Sequence, residues 1–117
     1  MTVRRPIETL SHPDLPNAGV LTQIADRLRE RLGATRVIVY GSVARGEATI
    51  HSDIDLLVVA PSDDRTFRRL VGAREAIRDL SFRIPVSPLV LTPDEIAERQ
   101  AQGDAFICEI LEMGVEL

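Results

Sequence analysis

Gly41 and Ser42, ten intervening residues, and then Asp53-Ile54-Asp55 are the residues of this chain whose types and spacing can do chemistry. Side chains alternate along a strand, so Asp53 and Asp55 project to one side while Ile54 and Leu56 project to the other. Two carboxylates about 7 Å apart on a strand edge suit a divalent cation. Oxygen-only donors select a hard ion, and magnesium prefers a few carboxylates completed by phosphate oxygens and water. Without a cation the pair repels itself. Taken alone, the pair has a simpler alternative: a solvated strand entrance with Asp53 capping the loop. The Gly-Ser pair changes the balance. A glycine where a strand gives way to a helical turn lets the backbone approach a ligand, and that turn offers N–H groups and a positive dipole end to an anion. Ser42 adds a hydroxyl donor. Arg45, one turn later, can reach the same anion or remain a solvated arginine. His51 reads as an ordinary loop histidine rather than a catalytic base.

The elements that must position these residues follow from hydrophobic period and punctuation. Residues 1–18 contain Pro6, Pro13 and Pro16 and no periodicity, and read as an irregular lead-in to a single domain over 19–117. Asn17 caps a helix with Val20, Leu21, Ile24, Leu28 and Leu32 on one face, and Gly33 ends it. Arg36–Tyr40 is a short β-branched strand, Val43–Gly46 a turn of helix, and Glu47–Ser52 a polar loop. Ile54–Ala60 is apolar nearly throughout, as in a strand covered on both faces. The next helix runs from about Arg65 to Leu80, with Phe67, Leu70, Val71, Ala73, Ile77 and Leu80 as its apolar face. Arg83–Leu91 is a third strand that Pro85 and Pro88 confine to an edge or a bulge. Thr92-Pro93-Asp94-Glu95 starts a helix with a capping box. A last helix, from about Asp104 to Met113, is expected to bury Phe106, Ile107, Ile110 and Leu111 and to stop at Gly114. The fold class is α/β, a small mixed β-sheet with helices packed on it.

Composition narrows the function. A net charge of −4 argues against binding nucleic acid through the surface field. All 14 basic residues are arginine, so there is no Schiff-base lysine, and any cationic contact to phosphate is a guanidinium fork. Tyr40, Phe67, Phe82 and Phe106 are too few aromatics for a single-strand stacking platform. No run approaches the ~18 apolar residues of a membrane span. The start lacks the apolar stretch of a secretory signal, and the expected compartment is the cytoplasm. The lone Cys108 cannot staple the fold and reads as a small core residue.

The run VIVYGSVARGEATIHSDIDLLVV, Val37 to Val59, resembles the signature of the DNA polymerase beta nucleotidyltransferase superfamily. The resemblance extends from about Val20 to the C-terminus. The short length and the ending ILEMGVEL are similar to the minimal nucleotidyltransferases that accompany HEPN-domain proteins in toxin–antitoxin pairs. It implies a polymerase-beta-like fold and nucleotidyl transfer with two magnesium ions held by Asp53 and Asp55 as catalytic and metal-binding residues. Gly41 and Ser42, with Arg45 nearby, would bind the phosphates of ATP or another nucleoside triphosphate. It further implies an AMP acceptor hydroxyl on a HEPN toxin partner.

One departure stands out. Active members bring a third carboxylate from a neighbouring strand, where this chain reads Ile84-Pro85-Val86-Ser87-Pro88-Leu89. Ser87 replaces the acid, Asp94 and Glu95 are claimed by helix capping, and Glu47 sits in the loop as a candidate substitute that nothing forces into place. The alternatives are therefore an active transferase, a nucleotide-binding module that neutralises its partner by complex formation, and a domain acting on a small molecule or RNA end. Homo-oligomerisation also remains open.

Overall fold

Leu21, Ile24, Ala25 and Leu28 recur at helical spacing and are all lost from solvent, which fixes the inward face of helix α1 (Ala18–Leu32). The computed structural model describes residues 18–47, 53–82 and 84–117. The lead-in before Ala18, the proposed cap Asn17, loop residue His51 and Arg83 lie outside them. Gly33, at φ 68°, ends α1 as expected, with the Ala34 amide reaching back to the Leu28 carbonyl.

Strands β1 (Arg36–Tyr40), β2 (Ile54–Val59), β3 (Val86–Leu91) and β4 (Val115–Glu116) form one mixed sheet in the order β3-β2-β1-β4. β2 pairs antiparallel with β1 and parallel with β3. Its apolar run is explained by that central place, because both of its faces are covered. On one face Val37, Val39, Ile54, Leu56, Val58, Val86 and Val90 pack with α1 and with residues of the crossover helix α2 (Thr66–Ala76). On the other, Ile38, Leu57, Val59 and Leu91 meet Ile96 of α3 (Pro93–Ala101) and Ile107, Ile110 and Leu111 of α4 (Ala105–Met113). Each such fully buried aliphatic side chain contributes about 1.5–3 kcal/mol.

β3 is an edge strand, as its prolines require: Pro88 lies opposite Leu56 and needs no donor on the open side. It starts at Val86, and Pro85 before it serves only as an acceptor for the Ile54 amide. The capping box is also present, with Thr92 accepting from the Glu95 amide and the Glu95 carboxylate accepting from the Thr92 amide.

Several expectations need correction, and one strand was not foreseen. Helix α2 stops at Ala76, where Ile77 leaves the helical region and the chain continues as turns to Leu80. Its inward face is Ala73, Ala76 and Ile77; Phe67 and Val71 point to solvent, because the small alanines rather than the bulkier residues let the helix sit close to the sheet. Phe106 is 49% exposed rather than buried, and Cys108 is only half-buried. Finally, Val115-Glu116 is a strand on the far edge, paired with Ile38 and Val39 and held by the Arg36–Glu116 ion pair at 2.6 Å. A two-residue strand has no readable alternation.

Candidate functional site

The site is assembled where β1 ends and β2 begins, two points the antiparallel register forces together: Tyr40 is the partner of Asp55. Immediately after Tyr40 the chain turns at Gly41 (φ 75°) into a single helical turn, with the Arg45 amide bonding the Gly41 carbonyl at 3.1 Å. The Glu47 amide closes it on the Ser42 carbonyl at 2.9 Å. The first amides of such a turn have no partner within it. Both properties of glycine are used at position 41. The backbone is left-handed, and a Cβ placed there would lie 2.6 Å from Asp55 Oδ2. The turn is therefore pressed against the carboxylate with no room for a side chain between them.

Asp55 is half-buried and Asp53, at the entrance of β2, is exposed. Burial raises the Asp55 carboxyl above the ordinary carboxylate range, the Asp53 charge raises it further, and Arg45 opposes both. Asp53 and Arg45 thus both lie close enough to act on Asp55. The Arg45 guanidinium also pairs with Glu47, Nε to Oε2 at 3.1 Å, in an exposed contact. Tyr40 is shifted upward by burial first and by the Asp55 charge second, so its hydroxyl stays protonated at neutral pH.

All five residues singled out in the sequence, Gly41, Ser42, Arg45, Asp53 and Asp55, occupy this one corner. Ser87 is the register partner of Asp55 on β3, and alternation puts the two on the same face of the sheet. No third His, Cys, Asp or Glu completes a metal cluster with the aspartates among the described residues. Glu95 is removed from consideration by its cap and by its ion pair with Arg69 at 2.5 Å.

The donor set fits a divalent ion in part. Two mutually repelling carboxylates, one of them held protonation-prone by burial, gain from a cation between them. The third protein ligand is at best the Ser87 hydroxyl, so water and phosphate oxygens must complete the shell.

Residues 21–112, which include every residue of this corner, match the nucleotidyltransferase domain family. The chain belongs to that family. A candidate protein adenylyltransferase of Methanocaldococcus jannaschii is 29% identical over 97 residues, covering 79% of this chain and 65% of its own length. The protein adenylyltransferase MntA of Thermococcus cleftensis is 49% identical over 39 residues, 33% of this chain and 39% of that protein. This chain thus spans less than two thirds of either relative. A crystal structure of a candidate nucleotidyltransferase from Sulfolobus solfataricus superposes with a TM-score of 0.54 at 25% identity, over 68% of this chain and 70% of that one. The α/β fold expected from the element order is the one shared with that solved structure, and the resemblance read from the Gly-Ser and Asp-x-Asp spacing is a family relationship. No helix among the described residues is long and apolar enough to cross a membrane.

One feature of this corner escaped the sequence: the ring of Phe106 stands edge-on to Tyr40, centroids 5.7 Å apart at 85°. The helical pattern of α4 gave no sign of it.

Proposed function

We propose that this domain transfers a nucleoside monophosphate, AMP from magnesium ATP, to a hydroxyl on a partner protein. The observation that carries the reading is the closeness of Gly41 to Asp55: a phosphate-binding turn and a carboxylate edge touch, with no space for a Cβ between them. The names of the two curated relatives supply the adenylyl group and the protein acceptor.

In this reading the amides of the Gly41–Ser42 turn and the Ser42 hydroxyl hold the terminal phosphates, and Arg45 adds a charge-assisted contact. Asp53 and Asp55 hold one or two magnesium ions, whose chemistry is to offset charge on the attacking and leaving oxygens. The acceptor oxygen bonds to the α-phosphorus as the bond bridging to the β-phosphate breaks; pyrophosphate leaves, and the acceptor's proton passes to water. The task of this chain is orientation, since an in-line displacement gains most from fixed positions. The acceptor proposed is a hydroxyl on a partner protein, as the names of the two relatives suggest. A HEPN-domain toxin, with this chain as its cytoplasmic antitoxin, is the partner proposed.

The deciding experiment follows label from α-phosphate-labelled ATP into the partner. Asp53→Asn and Asp55→Asn should each abolish it, and transfer that persists in both variants would sink the proposal. A second reading is supported by Ser87, which stands where a third ligand would: a module that binds nucleotide and neutralises its partner by complex formation. That reading requires complex formation and toxin inhibition to survive the same two substitutions.

A further inference from the structure

We propose that the exposed ring of Phe106, held edge-on by Tyr40, is the surface on which the nucleobase stacks. The inference rests on the nucleotide site proposed above and adds to it the element that binds the base.

Three observations converge. Tyr40 joins the two halves of the site, since it is directly bonded to Gly41 and is the register partner of Asp55. Phe106 packs on Tyr40 in a T-shaped contact, centroids 5.7 Å apart with the ring planes at 85°. The residue is nonetheless 49% exposed. The helix that carries it has no need of it for burial, because Ile107, Ile110 and Leu111 already form its core face. Asp104 caps the same turn through the Ile107 amide, so the backbone beneath Phe106 is anchored. A single exposed apolar ring is unremarkable on a protein surface, and Phe67 and Phe82 are both more exposed than this one. Place distinguishes Phe106: one ring separates it from the carboxylate edge, as one ribose separates a base from its α-phosphate.

A pre-oriented ring suits this task. Every base has a π-face, and stacking on an aromatic side chain contributes affinity without hydrogen-bond readout. Its strength follows ring overlap, so purine triphosphates should be held more tightly than pyrimidine ones. A single mononucleotide needs only one such ring, whereas a single strand needs several.

The test compares binding of magnesium ATP and magnesium tripolyphosphate by titration calorimetry. Phe106→Ala should weaken ATP by roughly tenfold or more while leaving tripolyphosphate unchanged, and Phe106→Trp should restore the difference. Phe82→Ala, a more exposed control, should change neither. The chain has one tyrosine and no tryptophan, so intrinsic fluorescence of the unsubstituted domain reports Tyr40 alone. ATP should perturb that signal more than tripolyphosphate does. Unchanged ATP affinity in Phe106→Ala, with tripolyphosphate still bound, overturns the stacking role and leaves the phosphate site standing. Equal loss of both ligands shows a structural role and overturns it too. If the unsubstituted domain binds neither ligand, the inference and the nucleotide site fall together.

Discussion

Asp55 and Ser87 face each other across the parallel β2–β3 pair, on the face of the sheet that also carries Tyr40. A hydroxyl therefore occupies the position paired in register with the half-buried carboxylate of the site, where family resemblance leads one to expect an acid. A serine can complete a coordination shell but brings no charge, so the two aspartates must hold a divalent ion with help from phosphate.

Ser87→Asp should convert this corner into a three-carboxylate site. Manganese or magnesium affinity should rise by about tenfold, and transferase activity should rise with it. The same change adds a third like charge, so the metal-free protein should melt lower and the metal-loaded one higher than the unsubstituted domain. Melting curves with and without metal check the sign in each state. A variant that gains neither affinity nor activity would mean that Ser87 is not at a vacated ligand position.

Gly41 and Gly46 permit an internally controlled test. Both have left-handed backbones, at φ 75° and 73°, but a Cβ at Gly41 meets Asp55 Oδ2 while one at Gly46 meets nothing within 4 Å. Each alanine substitution should cost about 1–2 kcal/mol for the backbone alone. Only Gly41→Ala should also displace Asp55 and abolish magnesium-dependent ATP binding. Denaturation midpoints and calorimetry separate the two effects. Equal loss of nucleotide binding in both variants would show that turn conformation, not closeness to the carboxylate, is what matters.

The corner containing Gly41, Ser42, Arg45, Asp53 and Asp55 was legible because its information is local: alternation places two aspartates together, and short strands on either side of one loop must pair. The capping box at Thr92 and the edge position of β3 were legible for the same reason, each stated by a few consecutive residues. Phe67 and Phe106 were misplaced because helical period defines a stripe but not which side of it meets the sheet. In α2 the choice fell to Ala73 and Ala76, whose small size allows close packing, and this depends on a sheet the helix has yet to meet. The contact between Tyr40 and Phe106 joins residues far apart in the chain, and no local pattern announces it.

Glu95 supplies a pH dependence whose sign can be worked out. Its carboxyl is held below the ordinary value by the Thr92 backbone first and by Arg69 next. A depressed carboxyl in the folded state contributes stability that is present above its unfolded value and is lost as pH falls through the folded one. Glu95→Gln keeps an acceptor for the cap but removes the charge. It should cost about 1 kcal/mol at neutral pH, a figure kept low by partial exposure of the carboxylate. The cost should vanish in acid, where both proteins are uncharged at this position. Urea denaturation at pH 7 and at a pH well below the ordinary carboxylate range checks it; a cost that does not change with pH would assign the effect to packing.

Glu47 decides between two roles for the loop that follows the phosphate turn. It could be a substitute third ligand, or it could simply hold the Arg45 guanidinium, which it contacts at 3.1 Å. Both side chains are at least half exposed, as expected of a surface ion pair. Such a pair is worth at most about 1 kcal/mol, so a triphosphate should displace it at small cost. Glu47→Gln removes the competitor for Arg45. If the carboxylate only occupies the arginine, tripolyphosphate affinity should rise by about two- to fivefold, with metal affinity unchanged. If Glu47 is a ligand, metal affinity should instead fall by about tenfold or more and take ATP binding with it. The geometry favours the first outcome, since Glu47 is directed to Arg45 while burial and the neighbouring Asp53 charge act on Asp55. Arg45→Ala provides the matching check: in that background Glu47→Gln should no longer improve tripolyphosphate binding, and an improvement that persisted would show that the two side chains act independently.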